Sequence, residues 1–432
     1  MNSRVNKMKK ILVLSVGGSA EPVVKAIRNN NPDFVYFFCS SGQKGSENTI
    51  DSPGDPCGDK RKSKCPECGH EYNAGNPAGK AIVFQAGLSK EKYEIITVDD
   101  PDDLNGCYQK LMGLTLRIAQ EHGDCQVIAN YTGGTKTMSA AMVIVGIMTQ
   151  QWDLSLNIGP RMDLIRVKGG DVPVVIDKWK ILCQSQIDFL NRTLTNYNYG
   201  FVANSIGEIL THPLDRSLQD KLIEARAVCE SFDLWDKFNH AKALELIEPY
   251  GSKYYPYIID LKKILGRSKA SGYELVSDLL NNADRRATQL HYDDAIARLY
   301  RAIELFAQIR LEKQHGLKSS NLKLRDLPEK LHEDYKNRVK DDKLMLGLIE
   351  DYELLFKLGD PFGITFHQHE GKIVDAIKRR NSSISGGHGT VPLGEEDYLF
   401  VKSRLKGFIM QVVGENKIDM EIKQMPVTGI MS

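Results

Sequence analysis

The sequence predicts a doubly wound, mostly parallel α/β sheet over its first 180 residues, followed by an all-α half. Three observations carry this. Between residues 8 and about 180, short apolar runs alternate with helical stretches in strand–helix–strand order. Two glycine turns, Ser15-Val16-Gly17-Gly18-Ser19 and Thr132-Gly133-Gly134-Thr135, each follow such a run and open a helix. Beyond Lys180 the periodicity turns helical, as in "IDFLNRTLTNY", "LQDKLIEARAVCESF", "YDDAIARLYRAIELFAQIRLEK" and "LMLGLIEDYELLFKLG", with scarcely a strand until the end.

The elements follow in order. The opening "MNSRVNKMKKILVLSV" mimics a signal peptide, but its apolar run stops at Gly17-Gly18, so residues 10–15 read as a first strand. A helix over 21–29, a strand over 34–39, a strand over 93–98 and a helix over 102–121 come next. Residues 126–130 form an apolar strand, 135–150 a helix, and short strands are expected at 154–158, 164–168 and 172–176. In such a sheet ligands sit beyond the carboxyl ends of the strands at a topological switch point, so both glycine turns share one rim. The stretch "SSISGGHGTVPLGEE", residues 382–396, interrupts the last two helical segments with turn-forming residues. No internal repeat is present.

The second turn looks like a phosphate-binding loop and fails the test for one. The pattern G-x-x-x-x-G-K-[ST] needs its second glycine directly before the lysine and another glycine five places earlier. Thr135 separates Gly134 from Lys136, and Ala129 stands where the earlier glycine belongs. An apolar strand, a Thr-Gly-Gly turn, and Lys136 and Thr137 at a helix start remain. Helix N-terminal N–H groups attract anions, so the expectation is phosphate binding without ATPase chemistry.

A chain of 432 residues with 41% hydrophobic content suits two or three packed domains. Its 57 basic and 56 acidic residues give a net charge of +1, so composition lends no support to duplex binding through one broad basic surface, and local basic clusters stay open. No segment approaches the roughly 18 apolar residues of a membrane helix. Eight scattered cysteines point to a reducing cytoplasm, with metal binding favoured over disulfides where they cluster.

Together, "ILVLSVGGS", "NYTGGTKTMSAA", the strand–helix order and the helical second half resemble the CARF-domain effectors of type III CRISPR systems. The resemblance implies a Rossmann-like CARF domain over residues 1–180, with a Cys-rich insert at about 40–80, and an all-α HEPN-like domain over 181–432. It further implies a cytoplasmic homodimer that binds a cyclic oligoadenylate and answers by cutting single-stranded RNA without metal. A C2 dimer suits a rotationally symmetric ring, since it offers two equivalent sets of donors. Carried over by position, Gly17, Gly18 and Ser19 line the ring from one turn. Thr132, Gly133, Gly134, Thr135 and Lys136 supply N–H, hydroxyl and ammonium contacts from the other. Two other readings stay open: a sensor whose helical domain is catalytically silent and signals to a partner, and an enzyme that cleaves the bound ring itself.

The same family uses an arginine and a histidine about four to six residues apart. RNA carries its own nucleophile, the 2′-hydroxyl, so the protein need only orient or deprotonate it, neutralise the phosphate and protonate the leaving oxygen. Three pairs compete: Arg286 with His291, Arg310 with His315, and Arg380-Asn381 with His388. The first two lie at the ends of a periodic helical run, where such residues usually form a solvated face. Arg380, Asn381 and His388 sit where a helix gives way to a Ser/Gly-rich turn, resembling the family's "RN…HG" element, and are the expected catalytic set. Seven residues between Arg380 and His388 exceed the family's spacing.

Finally, "CGDKRKSKCPECGHEY" contains the C-x-x-C-G form of a zinc knuckle at Cys65 and Cys68. Cys57 and His70 are the nearest candidates to complete four ligands, with Cys39 as a substitute for either. A closed set of protein ligands would make such a zinc structural. Free surface thiols are the alternative.

Overall fold

The apolar run after Met8 forms β1 (Lys9–Ser15), and residues 11–15 are buried because β1 is central in a sheet covered on both faces. A computed structural model describes residues 8–52, 62–64, 71–73, 76, 78–149, 151–158, 161–162, 166–167, 172–176, 178–341, 343–383 and 389–431. The chain divides into two units, residues 1–182 and 183–432, each with its own core.

In the first unit β1 leads to α1 (Ala20–Asn30) and β2 (Phe34–Ser40). A two-stranded hairpin, β3 (Lys62–Lys64) and β4 (Glu71–Asn73), lies in the cysteine-containing insert. Then come α2 (Ile82–Ala86), β5 (Tyr93–Val98), α3 (Leu104–His122), β6 (Cys125–Asn130), α4 (Lys136–Met148) and β7 (Trp152–Ile158). The small hairpin of β8 (Arg161–Met162) and β9 (Arg166–Val167) precedes β10 (Val172–Ile176). The six-stranded sheet runs β10-β7-β6-β1-β2-β5, parallel throughout except for the antiparallel edge strand β10. Period-2 alternation divides the core. Ile11 and Val13 face α3 and α4, while Leu12 and Leu14 face α1 and α2.

This is the expected Rossmann-like architecture, with differences at the element ends. Asp103 caps α3 by accepting the Asn105 N–H at 3.0 Å, so that helix starts two residues later than expected. Strand β7 starts two residues earlier, because Trp152 is fully buried and pairs with Val127. Of the strand expected at 164–168, only Arg166–Val167 is described as strand, in a local hairpin outside the main sheet.

Chain order along the sheet reverses between β1 and β6. Successive strands β1, β2 and β5 build outward in one direction, and β6 then returns to the other side of β1. Both glycine turns leave this pair of strands, at the switch point.

The second unit is helical, apart from a two-residue hairpin of β11 (Val339–Lys340) and β12 (Lys343–Leu344). It has two cores. One gathers α5 (Trp179–Leu194), α6 (Tyr199–Ile209), α7 (Arg216–Asp236), α8 (His240–Ile247) and α9 (Gly251–Ile264), joined by Ile422, Met425 and Ile430 of the C-terminal segment. The other gathers α10 (Glu274–Thr288), α11 (Tyr292–His315), α12 (His332–Tyr335), α13 (Leu348–Lys357), α14 (Pro361–Asn381) and α15 (Glu395–Glu415). The C-terminal segment stitches the two: the Ile422 N–H donates to Ser277 Oγ (3.3 Å), the Lys423 N–H to Asp260 (2.8 Å), and Tyr199 donates to the Pro426 carbonyl (2.8 Å). No described helix is long and apolar enough to cross a membrane.

Candidate functional site

The two glycine turns interlock. Ser15 Oγ, at the end of β1, donates to the Gly133 carbonyl at 2.6 Å, and Ser139 Oγ from α4 donates to the same oxygen at 3.0 Å. In a trans peptide N–H and C=O point in opposite directions, so pinning that carbonyl inward turns the Gly134 N–H outward. The approach is too close for side chains: a Cβ on Gly17 would lie 2.7 Å from Gly134 N, and one on Gly133 would collide with the Ser15 carbonyl. Gly134 also adopts φ +81°, which L side chains rarely do.

Gly17, Gly18 and Ser19 run straight into α1, whose N-cap Ser19 makes no side-chain capping bond. Thr135 caps α4 by accepting the Met138 N–H (3.2 Å) and donates to the Pro101 carbonyl (2.7 Å). Thr132 Oγ1 accepts the Asn157 N–H at 2.8 Å. Both threonine hydroxyls therefore brace the turn, which leaves N–H groups and Lys136 as its principal outward donors. Lys136 is exposed at the first position of α4, where the helix dipole disfavours a cation and the first turn holds no acidic residue. A bound anion would reverse that penalty.

Beneath the turns lies a polar layer that sequence reasoning missed. Asn130 ends β6 fully buried, donates to Ser155 Oγ (3.2 Å) and Asn157 Oδ1 (3.0 Å), and accepts the Thr132 N–H (3.3 Å). Asn157 Nδ2 reaches across to the Pro22 carbonyl in α1 at 3.0 Å. Buried amides need partners, and here the partners fix the second turn to β7 and α1. The only sequence signal was a run of polar residues at strand ends that otherwise read as apolar.

In the helical unit, Arg380 and Asn381 form the last turn of α14. The Arg380 guanidinium lies over the Tyr300 ring with 4.7 Å to its centroid, and its Nη1 donates to Asn381 Oδ1 at 3.1 Å. Gly389 packs so tightly on the Ser382 carbonyl that no side chain fits there. His388 lies outside the described residues.

The two competing pairs have structural partners. Arg310 Nε and His315 Nε2 both bind Asp360 Oδ2, at 2.8 and 2.9 Å, while Asp360 caps α14 by accepting the Phe362 N–H at 2.9 Å. Arg286 pairs with buried Asp236 and donates to Gln289 at 2.7 Å, whereas His291 is exposed at the N-cap of α11. Neither pair resembles two side chains converging on an open phosphate.

Cys57, Cys65, Cys68 and His70 lie outside the described residues, and among those described no group of His, Cys, Asp and Glu could hold a metal. Cys39, the alternative ligand, is fully buried in β2, its thiol reaches the Ile96 carbonyl at 3.7 Å, and burial pushes that thiol up to about 12.

Residues 265–411 match the family described as the Csm6 HEPN domain. The fold is similar to that of Enterococcus italicus Csm6 bound to cyclic hexa-2′-fluoro-hexa-dAMP, with a TM-score of 0.60 over 95% of each chain at 12% identity. No curated protein matches the chain. The family match covers α10–α14 and α15 as far as residue 411, most of one of the two helical cores, and includes the end of α14.

Proposed function

We propose that this chain, whose residues 265–411 match the Csm6 HEPN domain family, is a cyclic oligoadenylate-activated, metal-independent single-strand endoribonuclease of type III CRISPR defence. The observation that carries the reading is one chain joining that domain to a switch-point cradle of two interlocked glycine turns. The cradle suits a cyclic oligophosphate. Outward N–H groups, two helix N-termini and Lys136 match phosphate charge, and Gly17, Gly18, Ser19, Gly133 and Gly134 let the backbone approach closely. Thr132 and Thr135 hold the cradle's shape from within.

Cleavage in this reading forms a bond between the 2′-oxygen and phosphorus and breaks the bond from phosphorus to the 5′-oxygen. His388 removes or orients the 2′ proton, a protonated group returns a proton to the leaving oxygen, and Arg380 offsets charge on the phosphoryl oxygens. Asn381 steadies Arg380. A homodimer in the cytoplasm completes the proposal. The outer stripe of α4 supports it, since Ala140, Ile144 and Met148 follow Lys136 at four-residue spacing and are exposed, Met148 by 61%.

The deciding experiment incubates the full-length protein with fluorescent single-stranded RNA, cyclic tetra- or hexaadenylate, and EDTA. Cleavage stimulated by one ring supports the proposal. Binding without cleavage would favour a silent sensor, and ring turnover without RNA cleavage would favour a ring-cleaving enzyme. Lys136→Ala should weaken ring binding roughly ten- to a hundredfold, because a charge-assisted contact contributes about 1.5–3 kcal/mol. Calorimetry giving the parent affinity would remove Lys136 from the site.

Cys65 and Cys68, with Cys57 and His70, are proposed as a structural zinc knuckle in the insert. Protein prepared without chelator should contain about one zinc per chain, lost in Cys68→Ser. Elemental analysis that finds none leaves the free-thiol reading.

A further inference from the structure

We infer that Asp351 is carried as the neutral acid in the folded protein, so that the α10–α15 core loosens as pH rises through neutrality and this carboxyl ionises. Asp351 lies on α13 and is 0% exposed. Both its oxygens are shielded from water, and neither has a well-formed hydrogen bond among the described residues. Ser319 and Gln308 approach as donors only loosely, and the Ser319 hydroxyl is itself buried without a hydrogen-bond partner. A carboxylate removed from water without a cation or a set of donors is strongly disfavoured, so such a group keeps its proton instead.

The surroundings add to that effect. From α11 come Glu304, a like charge already paired with Arg301, and Gln308, whose Oε1 accepts from the same guanidinium at 3.0 Å. On α13 itself Glu350 is paired with Arg338 at 2.9 Å, and Lys357 with Asp334 of α12 at 2.9 Å. Tyr335 of α12 brings a buried hydroxyl without a hydrogen-bond partner. Helix α14 meets α13 through uncharged groups, Gly363 against Phe356 and Phe366 stacked on Tyr352 at 4.2 Å. Burial first, then Glu304, pushes the Asp351 carboxyl up to about 7 from an ordinary value of 3.8. Ionisation strains a junction. Tyr352, the next residue, donates to the Ile303 carbonyl at 2.9 Å and ties α13 to α11, while its stack on Phe366 ties α13 to α14.

In the unfolded chain this carboxyl titrates near its ordinary 3.8. Between that value and about 7 the folded form holds a proton that the unfolded form has lost, so stability falls as pH rises, about tenfold in the unfolding equilibrium per pH unit. Below the window the contribution is fully present, and above it both forms are ionised and the curve is flat. The test is calorimetry of the full-length protein from about pH 5 to pH 9, comparing the parent with Asp351→Asn, Asp351→Leu and Glu304→Gln. Both Asp351 variants lack the titrating group. Between pH 5 and pH 7 they should gain on the parent by about a hundredfold in the unfolding equilibrium, read as roughly 5–10 °C in the midpoint of the helical unit. Above about pH 8 the gain should stop. Differences in midpoint decide, since other groups titrate alike in parent and variant. Glu304→Gln removes a like charge, so the parent's fall should end at lower pH. Asn keeps the shape and Leu the apolar volume, so if one fails to fold the other decides, and if both fail the Glu304→Gln profile does. A midpoint difference that stays constant from pH 5 to pH 8, or a Glu304→Gln profile parallel to the parent's, means Asp351 is ionised throughout and overturns the inference.

Discussion

Arg380→Ala and His388→Ala should each abolish measurable RNA cleavage and leave cyclic oligoadenylate binding at the parent affinity, if the proposed nuclease site is the one that cuts. A positioned acid or base contributes about 10²–10⁴-fold in rate, and a donor aimed at developing charge contributes on a similar scale. Either loss alone therefore takes a modest ribonuclease below detection. Binding survives because the glycine turns belong to the other unit. Products should end in 2′,3′-cyclic phosphate, 2′-deoxy substrates should resist, and EDTA should change nothing, all readable by mass spectrometry of the fragments. The competing pair gives a sharp control. His315→Ala removes one of the two side chains that bind Asp360 at the α14 N-cap, so it should lower stability while cleavage persists. If His315→Ala is inactive and fully stable while His388→Ala cleaves normally, the catalytic histidine is on α11. Strict dependence on added Mg²⁺ or Mn²⁺ would falsify the metal-free mechanism.

What the sequence could reveal follows the range of the forces involved. Strand–helix alternation is local, and it placed β5 and β10 residue for residue at 93–98 and 172–176. The twin turns were legible because glycine is required where backbones nearly touch, as at Gly17 and Gly134. Long-range partners were not legible. Arg310 and His315 look like a catalytic pair by spacing, yet their role is set by Asp360, 45 residues beyond His315. Arg286 is likewise claimed by Asp236, 50 residues before it. Asn130 escaped notice for the same reason, since its acceptors lie on β7. The division of the helical half into two cores also depends on tertiary packing, because both halves share one periodicity.

Asp236→Ala should destabilise the helical unit more than any surface change, by about 3–5 kcal/mol, the usual cost of removing one partner from a buried ion pair. Asp236 ends α7, is 8% exposed, and is the common acceptor for three side chains of α10. Arg285 Nε donates to it at 2.7 Å, Asn282 Nδ2 at 2.8 Å, and Arg286 pairs with its other oxygen. Arg285 is 1% exposed, so water cannot replace the lost carboxylate. Its remaining partners are Asp278 at 3.5 Å, already shared with His240 (2.8 Å) and Trp235 (3.1 Å), and Gln424 of the C-terminal segment at 2.7 Å. Neither can neutralise two guanidiniums. Because α7 belongs to one helical core and α10 to the other, the loss also loosens their junction. For a unit of this size, 1 kcal/mol shifts the midpoint by about 2–4 °C, so its melting transition should fall by roughly 6–20 °C. Asp236→Asn keeps the shape and one acceptor oxygen but not the charge, and should fall between. Calorimetry should leave any separate transition of the N-terminal unit in place. A shift under about 2 °C for Asp236→Ala would mean the guanidiniums find other acceptors, and the network would not be what joins the two cores.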